Sequence, residues 1–287
     1  CLRPPSAYWN VTLQYMRIVG LRNQEPNLLP FTIKSQITYY ANGYHPLARE
    51  VVIGLASELP PAVILAGGLG TRLRPIVSER PKAMALVAGR PFLIHQLQWL
   101  QANSVRSVIL CLGYKGEQIA NYFGDGSSLD LAIIYSWEET PLGTAGALAQ
   151  AVDLLPHEFL VVNGDTYTVL PLQPLWDAHH EYGAIATLAV APAQDSSAVG
   201  GIELDPDHRI VAFREKESGA KLVSMGIYAA TRKLVELIPQ SRPCSLEKDI
   251  FPHLPRLYGY LSEARFIDIG TPAGYLALDR YLSSSGS

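Results

Sequence analysis

The chain has 287 residues, 48% of them hydrophobic, which is enough to close one large apolar core or two small ones. A net charge of −3 creates no field that would draw nucleic acid or an anionic membrane, so neither is an expected partner. No apolar run approaches the roughly 18 residues of a membrane-spanning helix, and three cysteines (Cys1, Cys111, Cys244) are too few and too scattered for a disulfide frame.

Residues 1–58 mix Pro4-Pro5, several aromatics and stretches without a clean period. They are expected to be an N-terminal extension of unknown role, with a short helix over 46–58. The opening Cys1 in place of Met suggests a piece of a longer chain, and no charged-then-apolar signal peptide stands at the start. Cys111 lies in the run SVILCL and reads as a buried thiol. A reducing cytoplasm is the expected compartment, and the Asn10-Val11-Thr12 sequon is then a chance match.

From 59 to 287 the pattern is that of one further domain. It predicts strands over 62–66, 107–112, 131–136, 158–163, 184–191, 199–204, 209–214, 221–229 and 265–268. It predicts helices over 92–103, 115–123, 144–154, 171–181, 231–238, 246–254 and 272–283. Such alternation argues for a layered α/β domain with a mixed, mainly parallel central sheet. The crowding of strands between 184 and 229 points to an antiparallel insertion. Ligands in such sheets sit beyond the carboxyl ends of the strands, and each motif below follows a strand.

The first motif is AVILAGGLGTRL, residues 62–73. An apolar strand stops at Gly67-Gly68-Leu69-Gly70, where bare backbone can approach phosphate, and Arg72 can fork onto two phosphoryl oxygens. The P-loop string is absent, and the dinucleotide fingerprint fails at Leu73. The glycines alone also fit a structural turn. Backbone amides at 68–72 are expected to hold β- and γ-phosphates, with Arg72 and Lys82 neutralising charge at the α-phosphorus and on pyrophosphate.

Asn163-Gly164-Asp165 closes another apolar strand. Asp165 is placed to hold Mg²⁺, although the same string is a good turn sequence. Asp268 stands between two isoleucines in FIDIGTP, where burial without a partner is costly. A Mg²⁺ shared by Asp165 and Asp268 would explain both. In Glu138-Glu139-Thr140-Pro141-Leu142-Gly143-Thr144, one of the two glutamates can accept from a base edge, and Gly143 lets a flat base approach. Guanine offers two adjacent donors to one carboxylate. The acids equally suit a helix N-terminus. Glu215 and Lys216 of Phe213-Arg214-Glu215-Lys216 can bind sugar hydroxyls and a sugar phosphate, or form a solvated charge pair. The histidines have no metal-binding spacing, and His179-His180 is expected on a helix surface.

In this order the motifs resemble the sugar-1-phosphate nucleotidyltransferase family: GGxGTRL with PK (67–73, 81–82), LGTAGAL (142–148), NGD (163–165), FREK (213–216) and FIDIGTP (266–272). The strings at 77–93, 163–167 and 245–254 resemble its heptose 1-phosphate guanylyltransferases most, with the mannose-1-phosphate guanylyltransferases next. The resemblance implies a Rossmann-like three-layer fold, Mg²⁺ dependence, and GTP and a sugar 1-phosphate as partners, with a possible homo-oligomer. It implies that Arg72, Lys82 and Asp165 are catalytic and that Asp165 and Asp268 hold metal. It assigns the nucleotide to Ala66, Gly67, Gly68, Gly70, Thr71, Arg72, Glu138, Gly143 and Thr144, preferring Glu138 over Glu139. It assigns the sugar phosphate to Gly201, Glu215 and Lys216. The chain departs from the family in reading Pro81-Lys82-Ala83-Met84 for PKPM, and Ser224-Met225-Gly226 for Asn-Ala-Gly. A non-catalytic sugar-nucleotide sensor on the same fold is the alternative from another class.

Overall fold

The computed structural model describes residues 58–73, 79–193, 201–214, 221–239 and 243–285. Apart from Glu58, the expected extension 1–58 lies outside them, with its short helix and its sequon, as do Glu215 and Lys216.

The first apolar run forms β1 (Ala62–Leu65). One tight turn (Lys82–Met84) leads to a small hairpin of β2 (Leu86–Val87) and β3 (Arg90–Pro91), then to α1 (Phe92–Ala102). The alternation continues through β4 (Ser107–Leu112), α2 (Gly116–Phe123), β5 (Ala132–Trp137), α3 (Gly143–Gln150) and β6 (Glu158–Asn163). Next come β7 (Thr166–Thr168), α4 (Leu172–Glu181), β8 (Ala186–Pro192), β9 (Gly201–Leu204), β10 (Ile210–Arg214) and β11 (Leu222–Thr231). After α5 (Lys233–Glu236) and a wide helical turn (Leu246–Ile250), the chain closes with β12 (Leu257–Leu261), β13 (Phe266–Asp268) and α6 (Pro272–Ser285).

The main sheet has nine strands in the order β10-β9-β11-β6-β1-β4-β5, with β8 also on β11 and β12 on β8. β1 lies parallel between β4 and β6, β5 runs parallel to β4, and β12 runs parallel to β8. β11 is antiparallel to β6, β8 and β9, and β10 is antiparallel to β9. The reversed strands are therefore β10 and β11, and the other seven point one way. This is the mixed, mostly parallel sheet expected, and the reversed pair lies inside the stretch predicted to be antiparallel.

Period-two alternation sorts each strand's side chains between two apolar layers. Ala62, Ile64, Val108, Leu110 and Val162 face α1, α2 and α4, meeting Leu93, Leu97, Leu100, Ile119, Phe123 and Leu175. Val63, Ile109, Cys111, Val161 and Tyr228 face the other way, toward Leu148, Leu234, Leu246 and Phe251. The inner strands of the sheet are thus covered on both faces, and a ligand can reach their main chain at the strand ends. Cys111 is buried, and burial pushes its thiol up to about 12.

Four short strands had no clear sequence signal. β2, β3 and β7 are each two or three residues long, and Gly259 weakens the pattern of β12. The helix expected over 246–254 is instead the wide turn followed by a tight turn at Phe251–His253, because Pro252 lacks the N–H that a continuing helix requires. The helix expected over 231–238 shortens to α5.

His179 corrects a second expectation. It is buried, and only His180 is exposed. Neighbouring helix residues diverge by about a quarter turn, so α4 cannot leave both rings in water while Leu175 and Ala178 face the core. His179 Nδ1 lies 3.0 Å from Thr187 Oγ1, and its Nε2 has no partner among the described residues. Burial, reinforced by His180, lowers its pKa from 6.5 to about 4. The unfolded chain then binds a proton that the folded chain refuses, so stability is present above pH 6.5 and is lost as pH falls toward 4. The expected loss is on the order of 3 kcal/mol across that window. Denaturant unfolding at several pH values should show this component in the wild type and not in His179→Gln.

Candidate active site

A cleft of about 420 Å³ opens at the carboxyl ends of β1 and β6, where the sheet topology leaves room. Ala66 through Thr71 line one wall, Glu138 and Pro141–Thr144 another, and Lys82, Asn163, Gly164 and Asp165 complete it. Of the residues singled out for the nucleotide, all but Arg72 line this cleft.

The glycine loop leaves β1 at Leu65. Ala66 N–H donates to Cys111 O at 2.9 Å, which ties the loop's start to β4. Leu73 is buried and its N–H donates to Gly70 O at 3.0 Å, which ties the loop's end. Between these anchors, no backbone carbonyl of the described residues accepts from the N–H groups of 68–72. Those donors face a site where an anion can take them.

Lys82 lies on the tight turn before the hairpin, and its ammonium pairs with the Asp165 carboxylate. Asp165 sits between β6 and β7, on a turn held by Gly164 N–H to Leu65 O at 3.1 Å and by Ile269 N–H to Asp165 O at 2.9 Å. β7 pairs with β13 so that Asp268 stands opposite Thr166. That two-stranded ribbon carries Asp268 to Asp165. A methyl group placed on Gly270 would lie 2.7 Å from Asp268 Oδ1, 3.1 Å from Asp165 Oδ2 and 3.1 Å from Arg72 Nη2. Two carboxylates and one guanidinium therefore meet around a single backbone position, with the Lys82 ammonium on Asp165.

Asp268 avoids the cost of burial without a partner. It stays open to solvent, and its Oδ1 accepts from Gly270 N–H at 2.6 Å. The surrounding protein still withdraws enough water to raise its carboxyl above the usual range, and the charge of Asp165 raises it further. A divalent cation would relieve that crowding. Two carboxylates with phosphate oxygens suit Mg²⁺, which commonly binds through one or two protein carboxylates. Among the described residues no cluster of three or more metal-ligating side chains exists.

Glu138 follows β5. Its Oε2 accepts from Leu142 N–H at 3.1 Å, and its carboxylate lies so close to Gly67 that a Cβ there would collide with it. Glu139 is exposed and does not line the cleft. Gly143 has φ +75°, and a Cβ would strike the Cys244 carbonyl. That carbonyl accepts from Ala145 N–H at 2.9 Å and Gly146 N–H at 3.3 Å, while Thr144 Oγ1 accepts from Leu246 N–H at 2.8 Å. The start of α3 is thus bound to the 244–246 segment. Gly143 has a packing reason beside the one expected from the ligand.

Gly201 heads β9 opposite Arg214 and is not among the cleft-lining residues. Sequence reasoning passed over Gln96, a buried amide on α1 that bonds to the Asp165 turn. Its signal was present: a glutamine on the apolar stripe of Leu93, Leu97 and Leu100.

A glycine loop at a strand's carboxyl end, with two cations and two carboxylates beside it, is the feature that marks this α/β fold. The chain belongs to the nucleotidyl transferase family, whose model matches residues 61–284. It is 37% identical to a mannose-1-phosphate guanylyltransferase of Mycobacterium tuberculosis over 77% of this chain, spanning 64% of that protein's length. It is 37% identical to a D-glycero-alpha-D-manno-heptose 1-phosphate guanylyltransferase of Aneurinibacillus thermoaerophilus over 75% of this chain and 94% of that protein. The crystal structure of HddC from Yersinia pseudotuberculosis superposes with a TM-score of 0.71 at 29% identity, covering 78% of this chain and all of that one. The same protein complexed with GMP-PN gives 0.70 at 28% identity, covering 78% of this chain and 100% of that one.

The Gly143 geometry predicts a stability effect. Gly143→Ala adds a methyl group against backbone at a positive φ and should destabilise the fold by about 1–3 kcal/mol, read as a lower midpoint in thermal unfolding.

Proposed function

We propose that this chain transfers GMP from GTP to a sugar 1-phosphate, releasing pyrophosphate. The observation that carries this reading is the meeting of Arg72, Asp165 and Asp268 at Gly270, with Lys82 on Asp165, beside the open donors of the glycine loop. The anomeric phosphate is already a nucleophile and attacks the α-phosphorus in line, so no general base is needed. The chain's work is then positioning and charge neutralisation. The amides of 68–72 hold the outer phosphates, and Lys82 and Arg72 take up negative charge as pyrophosphate separates. Asp165 and Asp268 would hold Mg²⁺, which when bound supplies charge for the phosphate oxygens.

Guanine is the base we assign, because the Glu138 carboxylate lines the cleft beside Gly67 and Gly143, and guanine offers two adjacent donors to a carboxylate. D-glycero-α-D-manno-heptose 1-phosphate is the acceptor we place first, on the length match to the relative named for it. Mannose 1-phosphate is the second, with the same ring configuration and a different exocyclic carbon. Gly201, Glu215 and Lys216 are proposed for the sugar phosphate. A reducing cytoplasm is the compartment we propose, supported by the buried free thiols of Cys111 and Cys244; no helix of the described residues is long and apolar enough to cross a membrane.

The test is pyrophosphate release with GTP, ATP, CTP, UTP and dTTP crossed with several sugar 1-phosphates. Turnover with GTP and a manno-configured acceptor is expected, and none with any pair would favour the non-catalytic sensor. Arg72→Ala should lower kcat by roughly 10²-fold with far smaller changes in KM, whereas small, equal losses would remove its transition-state role. Glu138→Gln keeps an oxygen for Leu142 N–H but loses the charge, and should cut the kcat/KM preference for GTP over ATP about tenfold or more.

A further inference from the structure

We infer that Gln96 is a positioning residue for Asp165, an inference that rests on the proposed nucleotidyl transfer. Gln96 is buried on the second turn of α1. Its Nε2 donates to Asn163 O at 2.9 Å and to Thr166 O at 2.8 Å. These two carbonyls flank Gly164-Asp165, so one side-chain amide spans the turn that presents the carboxylate.

The chemistry fixes the amide's orientation. Reversed, it would set its oxygen against two carbonyl oxygens, and lone pairs would repel on both sides. In the orientation observed, Oε1 is buried without a partner among the described residues. A buried orphan acceptor is unfavourable and persists where something else requires the group. Packing does not require it, since Leu93, Leu97 and Leu100 show that this face of α1 accepts plain hydrocarbon. What the amide accomplishes is to close the Asp165 turn.

Gln96 also joins two parts of the site. The tight turn with Lys82 runs through the hairpin directly into α1, and Phe92 N–H donates to Ala85 O at 2.8 Å where that segment folds back. The segment that supplies the ammonium therefore also braces the carboxylate that the ammonium pairs with. Gly164 N–H to Leu65 O and Ile269 N–H to Asp165 O hold the turn from β1 and from the β13 side, and Gln96 holds it from α1.

Gln96→Met keeps the length and apolar fit, removes the orphan oxygen and loses both bonds. The expected result is a thermal midpoint at most a few degrees lower, since one orphan acceptor is removed while two carbonyls lose a donor, a kcat lowered roughly 10- to 100-fold, substrate KM values close to wild type, and weaker Mn²⁺ binding by electron paramagnetic resonance with GTP present. Gln96→Asn, whose amide is one methylene short, should show the same split more mildly and serves if the Met variant fails to fold. Wild-type kcat and Mn²⁺ affinity in either folded variant would overturn the role. So would a fall in kcat that only tracks a fall in the thermal midpoint, with Mn²⁺ affinity intact. Inactivity of the wild type itself with every substrate pair would instead remove the enzymatic reading on which this role depends.

Discussion

Like charges held side by side repel, and the centre of this molecule holds Asp165 and Asp268 around one backbone position. Loss of water around Asp268, and after it the charge of Asp165, raises the Asp268 carboxyl. Most of the surrounding architecture offsets the repulsion. The β7–β13 ribbon supplies the register that brings the two together, Lys82 pairs with one carboxylate, and the Arg72 guanidinium stands at the same backbone position, Gly270. A site so loaded with charge has a ready use for a polyanion and a divalent cation arriving together.

The sheet decides where such a site can be. With apolar layers on both faces, the inner parallel strands β1, β4 and β6 expose backbone at their ends. The glycine loop after β1, the Asp165 turn after β6 and Glu138 after β5 all leave the same edge, because β1, β4, β5 and β6 run in one direction. The cleft follows from strand direction as much as from the residues that line it. On its far wall the backbone of 244–246 takes up the first donors of α3. The helix start therefore shapes the wall, and the loop of 67–72 is left as the open donor array.

Much of this was legible in the chain itself. The run AVILAGGLGTRL announces a buried strand and its loop, since glycines stand where β-prone residues stop. The long strands β1, β4, β6, β8 and β11 were readable from their apolar runs. β2, β3 and β7 were not, because so few residues show no period of their own, whereas β13, equally short, was marked by its place before the Thr271-Pro272 helix start. His179 and His180 look alike in sequence, and only the packing of α4 against β8 separates the buried ring from the exposed one. Asp268 stays open although its neighbour Ile269 is buried, since successive side chains of a strand point to opposite faces.

By itself, then, the sequence determined the alternating α/β plan, the loop at the head of the first strand, and the residue types able to meet phosphate, base and metal. Those are local properties, set by periodicity, by glycine and by charge. Tertiary structure alone decided that Arg72, Lys82, Asp165 and Asp268 share one space, that Glu138 rather than Glu139 faces the cleft, and that Gln96 spans the Asp165 turn. Each of these depends on registers and contacts between segments far apart in the chain, and no local pattern encodes a distance across the fold.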